Sequence, residues 1–384
     1  MAPSVFDDIR PYYSEEINAA MCRIADSDAF PLLASFVYPG KEVGDVRNLV
    51  RSFTNIRDFQ HEVMFKMNEQ VITRSTDGLT VSGLEKLSKD KRYLFISNHR
   101  DIVLDSSLLQ YLLVKNGFET TEITFGANLM QGELVIDIGK SNKMFKVARP
   151  SGNVKDFYKA SQHLSDYIRH AITEKKESVW IAQRNGRTKD GDDKTDQGII
   201  KMFCMSHPSN KIEALAELNI VPVSVSYEWE SCDILKTLEL YVSKHTKYVK
   251  KPGEDLNSIL TGIVQQKGRV NISVCDPITE QELRQFSDLT NNDYHRSVAQ
   301  LITRRIQSAY ELYPNNYIAH DMLYGNETFK NRYTEEQKAD FLHHIEKLEQ
   351  YEELDGEALL EILLGIYANP VRNRNGMLHS SSSL

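Results

Sequence analysis

The stretch YLFISNHRDIVLDSSLLQYLL, residues 93–113, holds a histidine, an asparagine, an arginine and two aspartates between two apolar runs. The first run has the β-branched and aromatic content of a short buried strand over 93–97, and the second has the spacing of a helix over 106–115. At the carboxyl end of a buried strand, a neutral imidazole at His99 can take a proton from a bound hydroxyl. A neighbouring carboxylate would fix its tautomer and stabilise the imidazolium, as in a hydrolase triad but with the substrate itself as nucleophile. Asp101 and Asp105 are the two candidates: Asp101 shares a side with His99 in extended geometry, whereas Asp105 directly precedes the helix. A plainer reading gives Asp105 a helix cap and leaves Asn98 and His99 to satisfy loop backbone.

A second polar stretch, WIAQRNGRTKDGDDKTDQG at 180–198, follows a predicted strand and leads into a helix. It places Arg184, Arg187, Lys189 and Lys194 around Gly186 and Gly191. Glycine lets backbone N–H groups approach an oxyanion, and a guanidinium matches phosphate with two parallel donors, so the ligand expected is a phosphomonoester. Alternatively, Asp190, Asp192, Asp193 and Asp196 pair with those same bases. No nucleotide-binding glycine–lysine loop is present; GKSN at Gly139 lacks the upstream glycine.

Positioning these stretches requires a sheet. Strands are predicted over 93–97, 122–126, 144–148, 178–182, 220–227 and 270–274, alternating with helices over 106–115, 154–172 and 198–205, which argues for an α/β sheet covered on both faces. In such sheets ligands sit beyond the carboxyl ends of the strands. Four units are expected: a helical module at 1–75, the α/β domain at 76–280, a helical region at 281–367 and a disordered polar tail at 368–384.

The 384 residues, 41% hydrophobic and 26% charged, read as a soluble globular chain. Its four dispersed cysteines show no metal or disulfide spacing. The beginning of the chain has no leader pattern and no run suits a bilayer, so a cytoplasmic location is expected. A formal charge of −8 argues against nucleic acid, yet residues 140–201 hold fourteen basic against eight acidic residues, an island suited to an anionic ligand or surface.

In order, SNHRDIVLD, MFKVAR, IAQRNGRTKDG and IVPVSVSYE resemble the four blocks of the glycerol-phosphate and lysophosphatidate acyltransferases. DGLTVSGLEKL, GIIKM and GRVNISVCDPI add likeness to the glycerol-phosphate branch, so the resemblance covers residues 78–280. It implies a mixed, mostly parallel sheet flanked by helices. It implies His99 as base, Arg149 as a phosphate contact, Gly186, Arg187 and Lys189 as the phosphate loop, and Pro222 shaping the pocket. The family aspartate falls five residues after the histidine, where this chain has Leu104, so either Asp105 or Asp101 takes its place. The family glutamate before glycine is replaced by Asn185 or Arg184. The activity implied is acyl transfer from an acyl-carrier protein or coenzyme A thioester to a hydroxyl of glycerol-3-phosphate or its 1-acyl derivative, without a metal or bound cofactor. The lipid product implies a peripheral contact at the inner membrane face, with Phe30–Val37 a candidate element, although a core helix is the simpler fate for it. The alternatives are a silent lipid-phosphate binder on the same fold, or an interaction protein built on the helical termini.

Overall fold

A computed structural model describes residues 4–148, 153–207 and 209–381, with residues 377–381 described by their backbone alone. Seven strands form one sheet: β1 (Gly78–Ser82), β2 (Leu94–Ser97), β3 (Glu122–Gly126), β4 (Met144–Val147), β5 (Val179–Ala182), β6 (Ile220–Tyr227) and β7 (Arg269–Val274), in the order β1-β7-β6-β2-β5-β3-β4. All neighbours are parallel except β6 and β7. The mixed, mostly parallel sheet expected from the sequence is the observed one.

Period-two alternation feeds two cores. Leu94, Ile96, Val179 and Ile181 face one layer, closed by Leu164, Tyr167 and Ile168 of helix Val154–Thr173 and by Val298, Ile302 and Ile306 of helix Asn291–Ala309. Phe95, Trp180, Val221 and Val223 face the other, closed by Leu104, Leu108, Leu109 and Leu112 of helix Leu104–Lys115. Burial on both faces explains why these strands read as continuous apolar runs.

The N-terminal helices build a core of their own around Ile17, Met21, Val46 and Phe59. Helix Phe30–Val37 buries Phe30, Ala34 and Val37 there and exposes Leu32, so most of its apolar surface is core. Residues 314–381 form another helical layer, in which Phe341, Leu359, Leu363 and Tyr367 pack with Trp229 and Leu238.

The tail expectation fails: helix Gly356–Ser381 runs through most of the segment predicted to be disordered. Only one side needs apolar groups, and Ala368 and Val371 supply them, both buried. Pro370 lies inside this helix and has no N–H for the carbonyl of Ile366. Gly191, at φ +76°, packs so close to that carbonyl that an added Cβ would lie 2.1 Å from it. The Asn369 side chain donates to the Asp190 carbonyl at 2.6 Å. The C-terminal helix therefore braces the 183–196 loop.

Candidate active site

β2 ends at Ser97; the N–H of Asn98 still donates to the Val223 carbonyl at 3.3 Å, and the Asn98 side chain carries the pairing further along β6. Its Oδ1 accepts the Val225 N–H at 2.7 Å, and its Nδ2 donates to the Val225 carbonyl at 2.9 Å and to Asp193 at 3.0 Å. The chain then turns so that the Asp101 carboxylate accepts the N–H groups of Val103 and Leu104, at 2.9 and 2.8 Å, capping the incoming helix. Its other oxygen accepts from the Ser231 hydroxyl. Leu104, at the position of the family aspartate, is fully buried in the apolar layer under the sheet.

Asp105 turns back toward the strand end. Its Oδ2 lies 2.9 Å from His99 Nδ1 and accepts the N–H groups of Arg100 and Asp101 at 2.6 and 2.9 Å. Its Oδ1 accepts the Tyr227 hydroxyl at 2.8 Å. An ionised carboxylate only accepts, so Nδ1 of His99 is the nitrogen that donates to it, and in the neutral imidazole so oriented Nε2 holds the lone pair. The helix starts at Leu104, two residues before the expected Ser106, which brings Asp105 into its first turn. Capping falls to Asp101 and contact with the imidazole falls to Asp105. Trp180 of β5 sets its ring edgewise to the imidazole, with centroids 5.7 Å apart at 73°.

The glycine- and arginine-bearing loop is tied to the same place. The N–H of Thr188 donates to the His99 carbonyl at 2.7 Å, and that of Gln183 to the Ser97 carbonyl at 2.7 Å. Gly186 has φ +75°, a left-handed turn that admits glycine without strain. Beside it, Arg187 Nη1 and Thr188 Oγ1 are buried without a hydrogen-bond partner. Arg187 also lies near the Ser231–Cys232 turn: burial pushes the Cys232 thiol up, with Asp101 adding to the rise and the positive charges of Lys236 and Arg187 opposing it. Lys189, in contrast, is ion-paired with Glu239. Pro222 sits lower in β6, opposite Ile96 and one residue outside the β6–β7 ladder, where its carbonyl accepts the Cys275 N–H at 2.9 Å. Arg149 lies outside the described residues.

Of the loop acids, Asp192 pairs with Lys194 at 2.6 Å, but Asp193 turns inward to Arg100. Arg100 is completely buried. Its guanidinium donates to Asp193 at 2.6 Å and to Glu230 at 3.2 Å and stacks over Tyr310 at 5.1 Å. Burial disfavours this charge, yet Asp193 and Glu230 outweigh that and hold it protonated well above the usual range. Lys236, also buried, donates to Glu230 at 2.5 Å and to the Arg100 carbonyl at 2.7 Å. Two cations and two anions thus rigidify the turn that carries His99.

Tyr227, Asp193, Glu230 and Lys236 were not among the residues expected at the site. Tyr227 closes the block IVPVSVSY, where a polar group ending a buried strand was a usable signal. Glu230 and Lys236 lie after it, in a segment with no recognisable spacing.

By geometry, the fold and site define a histidine–carboxylate pair at the carboxyl end of a mostly parallel sheet, beside a loop with unspent donors. Residues 78–226 match the family model described as Acyltransferase. Among solved structures, the chain is similar to the 1-acyl-sn-glycerophosphate (LPA) acyltransferase of Thermotoga maritima, at 10% identity and a TM-score of 0.38, over 77% of this chain and 96% of that one. No curated protein matches the chain. No described helix is long and apolar enough to cross a membrane.

Proposed function

We propose that the protein transfers a fatty acyl group from a thioester, on acyl-carrier protein or coenzyme A, to a hydroxyl of glycerol-3-phosphate or 1-acylglycerol-3-phosphate. The observation that supports this most is the 2.9 Å contact between His99 Nδ1 and Asp105, which leaves Nε2 as a base. Nε2 takes the proton of the substrate hydroxyl as its oxygen bonds to the acyl carbon. Asp105 stabilises the imidazolium so formed, and Tyr227 and two backbone N–H groups keep that carboxylate in place. The carbon–sulfur bond then breaks, and the departing thiolate regains the proton from Nε2. Arg187, whose Nη1 has no partner, is assigned to the acceptor's phosphate.

A silent binder would have no need of an oriented imidazole, so the same contact counts against that alternative. The test uses purified protein, radiolabelled acyl donor and each acceptor in turn. His99→Ala is expected to lower turnover ~100- to 10,000-fold while the thermal midpoint stays near wild type. Near-normal turnover in that variant would refute the proposal.

A further inference from the structure

Helix Glu254–Val264 turns Ser258, Gly262 and Ile263 toward the protein and a row of aliphatic side chains outward. Ser258 and Gly262 are buried, and Gly262 approaches Asp101 so closely that an added Cβ would lie 2.2 Å from the carboxylate. On the opposite side Leu256, Leu260 and Val264, spaced four residues apart, are 59%, 54% and 68% exposed. Val249, in the loop before the helix, is 75% exposed. Isolated apolar residues at a surface are ordinary, but a continuous row of them on one helix marks a contact surface.

The charge around the row indicates the partner. Residues 242–266 contain four lysines, Lys244, Lys247, Lys250 and Lys251, against two acids, in a chain of net charge −8. One of the acids, Asp255, is already occupied by Lys250 and by Asn128, whose side chain donates to it at 3.2 Å. Lys247 and Lys251 are exposed close in sequence to Val249, whereas Lys244, also exposed, pairs with Glu361 at 3.7 Å. Apolar side chains rimmed by lysines suit the boundary between acyl chains and anionic head groups. The location agrees. Asn128 follows β3, so its bond to Asp255 anchors the helix at the carboxyl ends of the strands, where His99 also lies. Val154 and Tyr158, beyond the end of β4, are exposed at the same end of the sheet.

We infer that helix Glu254–Val264 and the lysine-bearing loop before it dock this protein onto the surface of an anionic lipid bilayer, with Leu256, Leu260 and Val264 entering the interface. The docking would serve the acyl transfer proposed above but does not depend on it. The test is co-sedimentation of the full chain, without substrates, with vesicles of phosphatidylcholine alone or mixed with phosphatidylglycerol. Wild type should bind the mixed vesicles and leave them as salt rises. The triple change Leu256→Ser, Leu260→Ser, Val264→Ser should weaken binding by at least about tenfold, and Lys247→Ala and Lys251→Ala by roughly fivefold each. All five side chains are exposed, so the thermal midpoint should hold. Unchanged binding in the triple variant overturns the inference, as does equal binding to both vesicle types. Loss of a dimer in that variant, seen by sedimentation equilibrium with lipid binding intact, would assign the row to a second copy and also overturn it. A protein that docks but transfers nothing would refute only the proposed activity.

Discussion

At the scale of single residues, the His99 block separates two aspartates by task. Asp105 contacts the imidazole, whereas Asp101 caps the helix and meets Ser231. Asp105→Asn puts an amide that can present N–H where Nδ1–H needs an acceptor, and it cannot stabilise an imidazolium; turnover should fall by two orders of magnitude or more, on the scale of ~100- to 10,000-fold for general-base contributions. Asp101→Asn keeps a capping oxygen, because asparagine caps about as well as aspartate, and should leave turnover within about tenfold of wild type. A rate comparison of the two variants checks this, and the reverse ranking would transfer the orienting role to Asp101. Arg187 makes a different prediction. If its unpartnered nitrogen meets the acceptor's phosphate, Arg187→Ala should remove a charge-assisted hydrogen bond of roughly 1.5–3 kcal/mol. The acceptor's KM should therefore rise by about ten- to a hundredfold while the donor's KM changes little. Equal changes in both would show that the guanidinium serves neither substrate specifically.

At the scale of elements, the 183–196 loop owes its shape to a helix more than 160 residues later in the chain. Gly191 combines φ +76° with close approach to the Ile366 carbonyl, and both conditions exclude a side chain. Gly191→Ala should cost about 1–2 kcal/mol from the left-handed backbone alone, plus the displacement of one backbone from the other. Lower turnover together with a lower thermal midpoint is the expected result; wild-type values of both would mean that loop and helix move apart freely. This brace also shows what was legible beforehand. Six strands and the His99 junction could be read from the sequence because they follow local rules: apolar runs, a polar break, a helical repeat. β1, within DGLTVSGLEKL, gives no strand signal of its own, since its half-exposed pattern at a sheet edge has no buried run. Helix Asp233–His245 was not foreseen because its fully buried positions are the polar Asp233, Lys236, Thr237 and Glu239, while Ile234, Leu238 and Tyr241 are only partly buried against the C-terminal layer. The choice between Asp101 and Asp105 needed the turn geometry, and Lys189 was assigned to phosphate because its partner Glu239 lies on that unforeseen helix.

At the scale of the whole molecule, the C-terminal helical layer is joined to the site by buried polar contacts. Tyr367 accepts the Glu230 N–H at 3.0 Å and donates to Asp233 at 2.7 Å, and His344 approaches the same Asp233 oxygen at 2.5 Å. Glu230 in turn holds Arg100 and Lys236, so the helices at 314–381 are coupled to the turn bearing His99. Burial pushes the Asp233 carboxyl upward, but the hydrogen bonds and charge of His344, with the Tyr367 hydroxyl, outweigh this and hold it below the usual carboxylate range. The sign of its contribution to stability follows. A carboxyl whose folded value lies below its unfolded one, about 3.9 for aspartate, stabilises the fold at pH above that unfolded value. That stabilisation is lost as pH falls through the folded value. Tyr367→Phe removes one donor to the carboxylate and should destabilise the protein by roughly 1.5–3 kcal/mol at neutral pH. Tyr367 itself is held protonated, because burial and the adjacent Asp233 raise it well above its ordinary value, so it does not confuse the titration. Urea midpoints of wild type and variant, measured from neutral pH downward, should differ by a constant amount until about pH 5. The gap should then narrow as Asp233 protonates. A gap that stays constant into the acid range would mean that Tyr367 supports the fold by packing alone, leaving the C-terminal layer without an electrostatic link to the site.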